Sequence, residues 1–327
     1  MLYIYNKSTD PYFNLAAEEY VLKNFKDDCF MLWQNSTAVI IGKNQNALAE
    51  INLDYVKENN IPVVRRLSGG GAVFHDMGNV NFTFITNDTD DFVNFSKFTD
   101  PIIGVLNDKL NIKATLSGRN DLTINDQKFS GNAQYNYKSR VLHHGTLLFA
   151  SSINDISGSL KVKPSKFEGK SVKSVKSRVT NISSHLSNPI TIEEFINLVM
   201  DYVKETNTDN GSIYEFTQDD IKAITKLRDE KYSTWEWVYG SSPKYNFKNE
   251  KRFKGGTVEF HFNVEKGIIK ECKIFGDFFS KKDVSDIENS LVGVKHEYNS
   301  IYEVLKNFDI NKYFANITIE DLMEISL

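Results

Sequence analysis

Two periods run through the hydrophobic pattern of this chain, one near two residues and one near 3.6. Residues 2–5, 30–33, 38–41, 61–64 and 143–149 are short apolar runs that predict buried strands, with 30–33 and 38–41 as neighbours. In 79–85, Val80, Phe82 and Phe84 alternate with Asn79, Asn81 and Thr83, which predicts a further strand. Helical spacing covers 15–22, with Asn14 as the predicted cap, and 54–60, and it recurs in Ile102, Ile103, Leu106 and Leu110. Thr191 with Glu194 is a capping-box pattern that leads into Phe195, Ile196, Val199 and Val203. A helix over 218–229 follows, with Ile221, Ile224 and Leu227 on one side. Beyond Ser241-Ser242-Pro243, Val258, Phe260, Phe262 and Val264 alternate again, and a second strand is predicted over 268–275. Two or three helices close the chain, carrying Val284, Ile287 and Leu291, then Ile301, Val304, Leu305 and Phe308. The pattern predicts an α+β (mixed α/β) protein in two parts, 1–245 and 246–327.

Composition narrows the class. With 327 residues, 40% of them hydrophobic, the chain can build a large core without staples. The net charge of −4 gives no sign of a nucleic-acid partner. Cys29 and Cys272 are the two cysteines, too far apart in sequence for a disulfide framework, and they point to a reducing, cytoplasmic setting. No apolar run approaches the ~20 residues that span a bilayer, so no membrane association is expected. Residues 161–178 hold six lysines and one arginine against Glu168. They read as a basic arm or flap. Phe167 is the arm's one aromatic residue, which argues against base stacking and against a nucleic-acid-binding module.

The chemistry concentrates in two stretches. Arg65-Arg66-Leu67-Ser68-Gly69-Gly70-Gly71-Ala72-Val73-Phe74-His75-Asp76 places three glycines between predicted strands. Bare backbone N–H groups there can form an anion nest, and arginine's planar fork suits phosphate or carboxylate. The second stretch runs from Gly118-Arg119-Asn120-Asp121 to Lys128-Phe129-Ser130-Gly131-Asn132-Ala133. Asn125-Asp126 is hairpin chemistry that puts Lys128 on the returning strand. Two nucleotide patterns fail. Gly169-Lys170-Ser171 matches the end of a phosphate loop, but Pro164 stands where its first glycine belongs. The triple glycine opens no helix, so it is not a dinucleotide fingerprint. What remains is a site that handles a phosphate beside a carboxylate.

These two stretches resemble the lipoate–protein ligases. The likeness continues through 143–149, 175–181, Trp235-Glu236-Trp237 and Gly276-Asp277-Phe278, and it covers essentially the whole chain. The resemblance implies a catalytic domain like those of biotin ligases and class II synthetases, with mixed β-sheets flanked by helices, and a small α+β C-terminal accessory domain. It implies that ATP, with Mg²⁺, and lipoate give lipoyl-adenylate and pyrophosphate. The acyl group then passes to a lysine on an acceptor lipoyl domain, of a 2-oxoacid dehydrogenase E2 subunit or the glycine cleavage H protein. On this reading Lys128 is the catalytic cation, touching acyl oxygen and phosphate together. Arg66, Ser68, Gly70, Gly71, Ala72, Val73, Phe74, Asn79, Asp121, Lys176 and Arg178 are the further adenylate contacts, with Asp121 a possible Mg²⁺ ligand. Gly71, Lys128 and His144 serve lipoate. Trp33, Val73 and Leu147 are candidates for the tail slot, Arg65 for a structural ion pair, and His75 for a core or contact role. The competing reading is an ATP-independent octanoyl or lipoyl transferase of the same fold, which needs a nucleophilic cysteine.

Overall fold

Among the described residues the apolar runs fold into three separate sheets. The computed structural model describes residues 1–327 except 46, 88–93, 119, 161–178, 208–210, 239–246, 266–267 and 297. In chain order the strands are β1 (Leu2–Asn6), β2 (Cys29–Trp33), β3 (Ala38–Ile41), β4 (Val63–Arg65), β5 (Val73–His75), β6 (Asn79–Thr86) and β7 (Ala114–Ser117). They continue as β8 (Asp121–Ile124), β9 (Gln127–Tyr137), β10 (Arg140–Leu148), β11 (Ser212–Ile213), β12 (Phe247–Phe253), β13 (Gly256–Glu265) and β14 (Ile268–Gly276). The main sheet runs β11-β1-β2-β6-β10-β9-β8-β7. Its β11–β1–β2 edge is parallel and the rest is antiparallel.

One face of the main sheet, with Val80, Phe82 and Phe84, packs under the helices Phe95–Gly104 and Ile192–Thr206. The other face, with Met31, Trp33 and Ile85, shares a core with the helix Pro11–Asn24 and with Ile40 and Val64 of the small sheet β4-β3-β5. Segments 30–33 and 38–41 are therefore not paired neighbours as expected: β2 lies in the main sheet and β3 in the small one. Asn14 supplies the reason. It is no cap, because the helix starts at Pro11 under an Asp10 side chain that accepts from the N–H groups of Tyr12 and Phe13. Asn14 lies buried within the helix and donates to the Gln34 carbonyl and to Asn35 Oδ1 at 2.8 Å each, just where the chain leaves β2.

The first helix is buried on nearly all sides, its outer side covered by the helix Gln218–Leu227 and the π-helical turn Arg228–Tyr232. That is why Glu19 is only 2% exposed. Its carboxylate accepts from Lys23 at 2.5 Å and from Lys231 and Tyr232 at 2.7 Å each.

Beyond residue 246, β12-β13-β14 form a meander that packs against four helices, Ser285–Leu291, Tyr298–Leu305, Ile310–Tyr313 and Ile319–Ile325. Val258, Phe260, Phe262, Leu291 and Ile301 centre its own core. The sequence reading missed β12, whose Lys248, Glu250, Lys251 and Arg252 hide its periodicity. The expected boundary at 245 lies outside the described residues. Lys43 pairs with Asp283 at 2.9 Å, and the Phe95 and Phe279 rings meet at 5.2 Å, so this unit rests on the rest of the chain. Among the described residues no helix is long and apolar enough to cross a membrane.

Burial opposes ionisation of Glu19, but its two lysines and Tyr232 outweigh it, and the carboxyl sits below its ordinary 4.5. Its stabilising contribution is thus present above pH 4.5 and fades as pH falls through the lower folded value. Glu19→Gln is expected to cost about 2 kcal/mol at neutral pH. In urea melts the gap between variant and wild type closes as the buffer is taken below that value.

Candidate active site

The glycine loop connects β4 to β5, both paired to β3, and two buried arginines shape it. Arg66 donates through Nη2 to the carbonyls of Gly69 (2.6 Å) and Gly71 (2.8 Å), through Nε to Ser68 Oγ (2.9 Å), and through Nη1 to Ile40 (3.3 Å). Arg65 was a candidate for a structural ion pair, but its partners are carbonyls. It donates to those of Gly42, Lys43 and Gln45, and to those of Trp237 and Val238 in the helix Trp235–Val238. Burial lowers both guanidinium pKa values to about 10, which leaves them cationic at neutral pH. Gly70 has φ +88°, a conformation that favours glycine. A Cβ on Gly69 would lie 2.1 Å from the Phe278 carbonyl oxygen, so the C-terminal unit touches bare loop backbone.

A hydrogen-bond chain crosses from the main sheet to this loop. The indole N–H of Trp33 donates to Thr83 Oγ1 at 3.0 Å, and Thr83 in turn donates to Glu18 Oε1 at 2.6 Å. From the other side Arg66 Nε donates to Ser68, whose own proton points to His144 Nε2 at 2.6 Å. Nδ1–H of His144 then donates to Glu18 at 2.9 Å. Trp33 and Arg66 can only donate, so both ends run inward and the Glu18 carboxylate receives them. His143, one residue earlier, faces the opposite core between Phe82 and Phe98, and burial pushes its pKa well below the ordinary value.

Lys128 is set by a register shift. Leu122 pairs with Ser130 but Thr123 pairs with Lys128, so one extra residue, Phe129, sits in β9. Such bulges re-aim side chains. The ammonium folds back over Gly131, where a Cβ would lie 2.9 Å from Nζ, and pairs with Asp121 at 2.7 Å. Both side chains are over a third exposed (38% and 40%), so the pair is weak and the ammonium can exchange partners. The backbone of Lys128 bridges to Val179, and its carbonyl accepts from the Thr180 N–H at 2.9 Å.

The other expected residues divide. Ser68 and His144 share the cross-sheet chain. Gly71, Ala72 and Val73 are half-buried, whereas Phe74 packs into the core on the outer side of the small sheet. Asn79 and Asn81 are buried side by side, with Asn79 Nδ2 donating to Asn81 Oδ1 at 2.9 Å. Lys176 and Arg178 lie outside the described residues, as does Arg119. The sequence reading missed Glu18, Thr83 and Asn35. Two adjacent acids inside the apolar run Ala16-Ala17-Glu18-Glu19-Tyr20-Val21-Leu22 were the available signal, because helical spacing cannot turn both to solvent when Leu15, Val21 and Leu22 are buried.

Residues 10–204 match the family described as the lipoyl protein ligase A/B catalytic domain, and residues 242–325 match the bacterial lipoate protein ligase C-terminus. The chain is 47% identical to lipoate-protein ligase LplJ of Bacillus subtilis, over 99% of each chain. It is 45% identical to lipoate–protein ligase 1 of Staphylococcus aureus, over 98% of each. Among solved structures, P. falciparum LipL1 in complex with lipoate superposes with a TM-score of 0.79 at 30% identity, covering 99% of this chain and 97% of that one. A lipoate-protein ligase A bound with ATP gives 0.63 at 26% identity, covering 73% of this chain and 98% of the other. The chain belongs to the lipoate–protein ligase family and is an enzyme of that class.

The contact at Gly69 yields a test of how the C-terminal unit is seated. Gly69→Ala is expected to cost about 1–3 kcal/mol through overpacking. Its added methyl should also push the unit off the loop, and small-angle scattering should read a larger radius of gyration.

Proposed function

We propose that this enzyme activates lipoate with ATP and then lipoylates a protein lysine. A lipoate carboxylate oxygen attacks the α-phosphorus of ATP, and the bond to pyrophosphate breaks. An acceptor lysine amine then attacks the acyl carbonyl, AMP leaves and the nitrogen loses a proton. Both steps gather negative charge at one place, so a cation there stabilises them. The observation that carries the reading is the Lys128 ammonium, folded over a residue without a side chain and held, among the described residues, by a half-exposed Asp121. At ~4 Å and an effective dielectric of ~20, such a cation gains about 4 kcal/mol against one anionic oxygen before desolvation.

The relatives support the choice of substrates, since solved family members carry lipoate in one case and ATP in another. An archaeal bipartite lipoate protein ligase, 29% identical with a TM-score of 0.66 and covering 75% of this chain, is described with its E2 lipoyl domain. We accordingly take the acceptor to be a lipoyl domain of an E2 subunit or the glycine cleavage H protein. Ser68, the backbone of Gly70 to Phe74, Asn79, Lys176 and Arg178 are the proposed adenylate contacts. Arg66 acts by shaping the loop, since its donors already serve loop carbonyls. Among the described residues no three His, Cys, Asp or Glu side chains form a metal cage. Asp121 offers one carboxylate, so Mg²⁺ would arrive on the ATP phosphates.

The ATP-independent alternative needs a reactive thiolate. Cys29 is fully buried, with its thiol pushed up to about 12 by burial, and Cys272 is 4% exposed and pushed well above its ordinary value. Neither suits a thioester route, and two buried free thiols accord with the cytoplasm as the working compartment.

The direct test is mass spectrometry of a lipoyl domain incubated with the enzyme, ATP, Mg²⁺ and lipoate. The expected result is acyl transfer that requires ATP; transfer without it would move the reading to the transferase. Lys128→Ala should fold normally and lose at least ~10²-fold in both half-reactions. We further propose that residues 246–327 act as an accessory domain serving the first half-reaction. A protein ending at Tyr245 should still use pre-made lipoyl-adenylate but form it much more slowly. Equal losses in both steps would reduce the domain to a stabiliser.

A further inference from the structure

A transverse row of residues crosses one face of the main sheet. Trp33 on β2 is in register with Asn81 on β6, and Asn81 with Thr146 on β10. Thr146 Oγ1 accepts from the Gly131 N–H on β9 at 3.2 Å. The Lys128 ammonium lies over Gly131, so the row begins at the proposed acyl head. Three strand spacings of ~4.8 Å separate β9 from β2, roughly 14 Å, less the reach of the lysine side chain. An extended eight-carbon acid fits that span. Its far end then lies at Trp33, whose ring meets the His75 ring edge-on with centroids 6.1 Å apart.

The proton on His75 can be placed by following a chain of amides. The Ser8 backbone N–H donates to Asn6 Oδ1 at 3.2 Å, so Asn6 Nδ2 faces Asn14 Oδ1 at 2.8 Å. Asn14 Nδ2 is fixed as the nitrogen by the carbonyls of Ser8 and Gln34, and its two hydrogens are shared with Asn35, which must turn its Oδ1 to it at 2.8 Å because a second NH₂ there would set donor against donor. Asn35 must then present Nδ2 to His75 Nδ1, at 3.0 Å. Nδ1 therefore accepts, and the ring proton sits on Nε2. His75 is only 3% exposed, and its Nε2 has no hydrogen-bond partner among the described residues. Burial, helped by Arg66 and His144, lowers its pKa to about 3, which keeps the ring neutral. A buried N–H donor without a partner is costly and calls for an acceptor. The indole N–H beside it is already committed to Thr83.

We infer that the His75 Nε2–H is the recognition donor for the dithiolane end of lipoate, and that His75 makes the site favour lipoyl over octanoyl chains. The inference rests on the functional reading above. A ring sulfur is a weak acceptor that can take this hydrogen bond, and the terminal methyl of octanoate offers none. Asn81 Nδ2 also lacks a partner among the described residues, but it lies mid-row beside the part of the chain that both acids share, so it cannot discriminate.

The test is direct competition between lipoate and octanoate for one lipoyl domain, with both products counted in the same tube, so that any common loss of activity cancels. The wild type is expected to favour lipoate by about two- to fivefold, the low end of what one hydrogen bond contributes, because the acceptor is weak. His75→Met, which keeps the bulk and removes the donor, should bring the ratio near one. His75→Gln, which can place an N–H near the same point, should keep most of the preference. An unchanged ratio in His75→Met, or equal losses in Met and Gln variants, would overturn the inference. In wild-type protein labelled with ¹⁵N-histidine, lipoate should shift the Nε2–H resonance and octanoate should not; a shift with both acids, or with neither, would also overturn it. Failure of the wild type to acylate with either acid would instead sink the functional reading, and this inference with it.

Discussion

The arrangement of this site depends on burying two guanidinium groups that, among the described residues, bond no carboxylate directly. Arg65 and Arg66 follow one another at the end of β4, and a strand points consecutive side chains to opposite sides. One therefore reaches outward to gather the carbonyls of the loop after β3 and of the helix Trp235–Val238. The other reaches inward to gather those of the glycine loop. Burying a charge this way is tolerable only if its donors find acceptors. The loop therefore curls the carbonyls of Gly69 and Gly71 toward Arg66. The two cations act here as the pegs on which the loop backbone is shaped.

The same economy appears where the sheets meet. Glu18, on the first helix, is the common acceptor of a chain from Trp33 and a chain from Arg66, so helix, main sheet and glycine loop are fastened at one carboxylate. The polar atoms along it are turned on each other, which is what allows Ser68, Thr83, His144 and Glu18 to lie buried together. Polar residues can form an effectively apolar wall when their donors and acceptors are all turned on each other. The lysine at the other end is treated differently. A bulge aims it, a residue without a side chain makes room for it, and its partner Asp121 is exposed enough to let go.

What the sequence revealed was local. Strand alternation in 79–85 and 258–264, the Thr191 capping box and the Asn125-Asp126 turn could be read because each depends on residues close in the chain. Both turn residues do adopt positive φ, at 50° and 62°. The placing of the glycine loop between strands and of Lys128 on the returning strand could be read for the same reason. What stayed hidden depended on partners far apart. Nothing near Asn14 announces that it will clamp the end of β2 and so send 30–33 and 38–41 to different sheets. Glu18 and Glu19 look like a solvated pair until the sheets cover one side of their helix and the segments Gln218–Leu227 and Arg228–Tyr232 the other. The strand β5 was overlooked because three residues after a glycine run show no period, and β12 because its charges mask one.

The amide chain from Asn6 to His75 has one further consequence, which concerns ageing. Asparagine side chains hydrolyse slowly to aspartate, and such residues are thermolabile. At Asn35, followed by the small Ser36, that exchange replaces an NH₂ group by an oxygen and leaves the shape nearly unchanged. Nδ1 of His75, which accepted a hydrogen bond, would then face an acceptor and have to carry the proton itself. A stored preparation would then carry a buried carboxylate beside the imidazole, which would turn its hydrogen toward it and away from Nε2. Chemical damage of this kind would show first as altered choice between substrates.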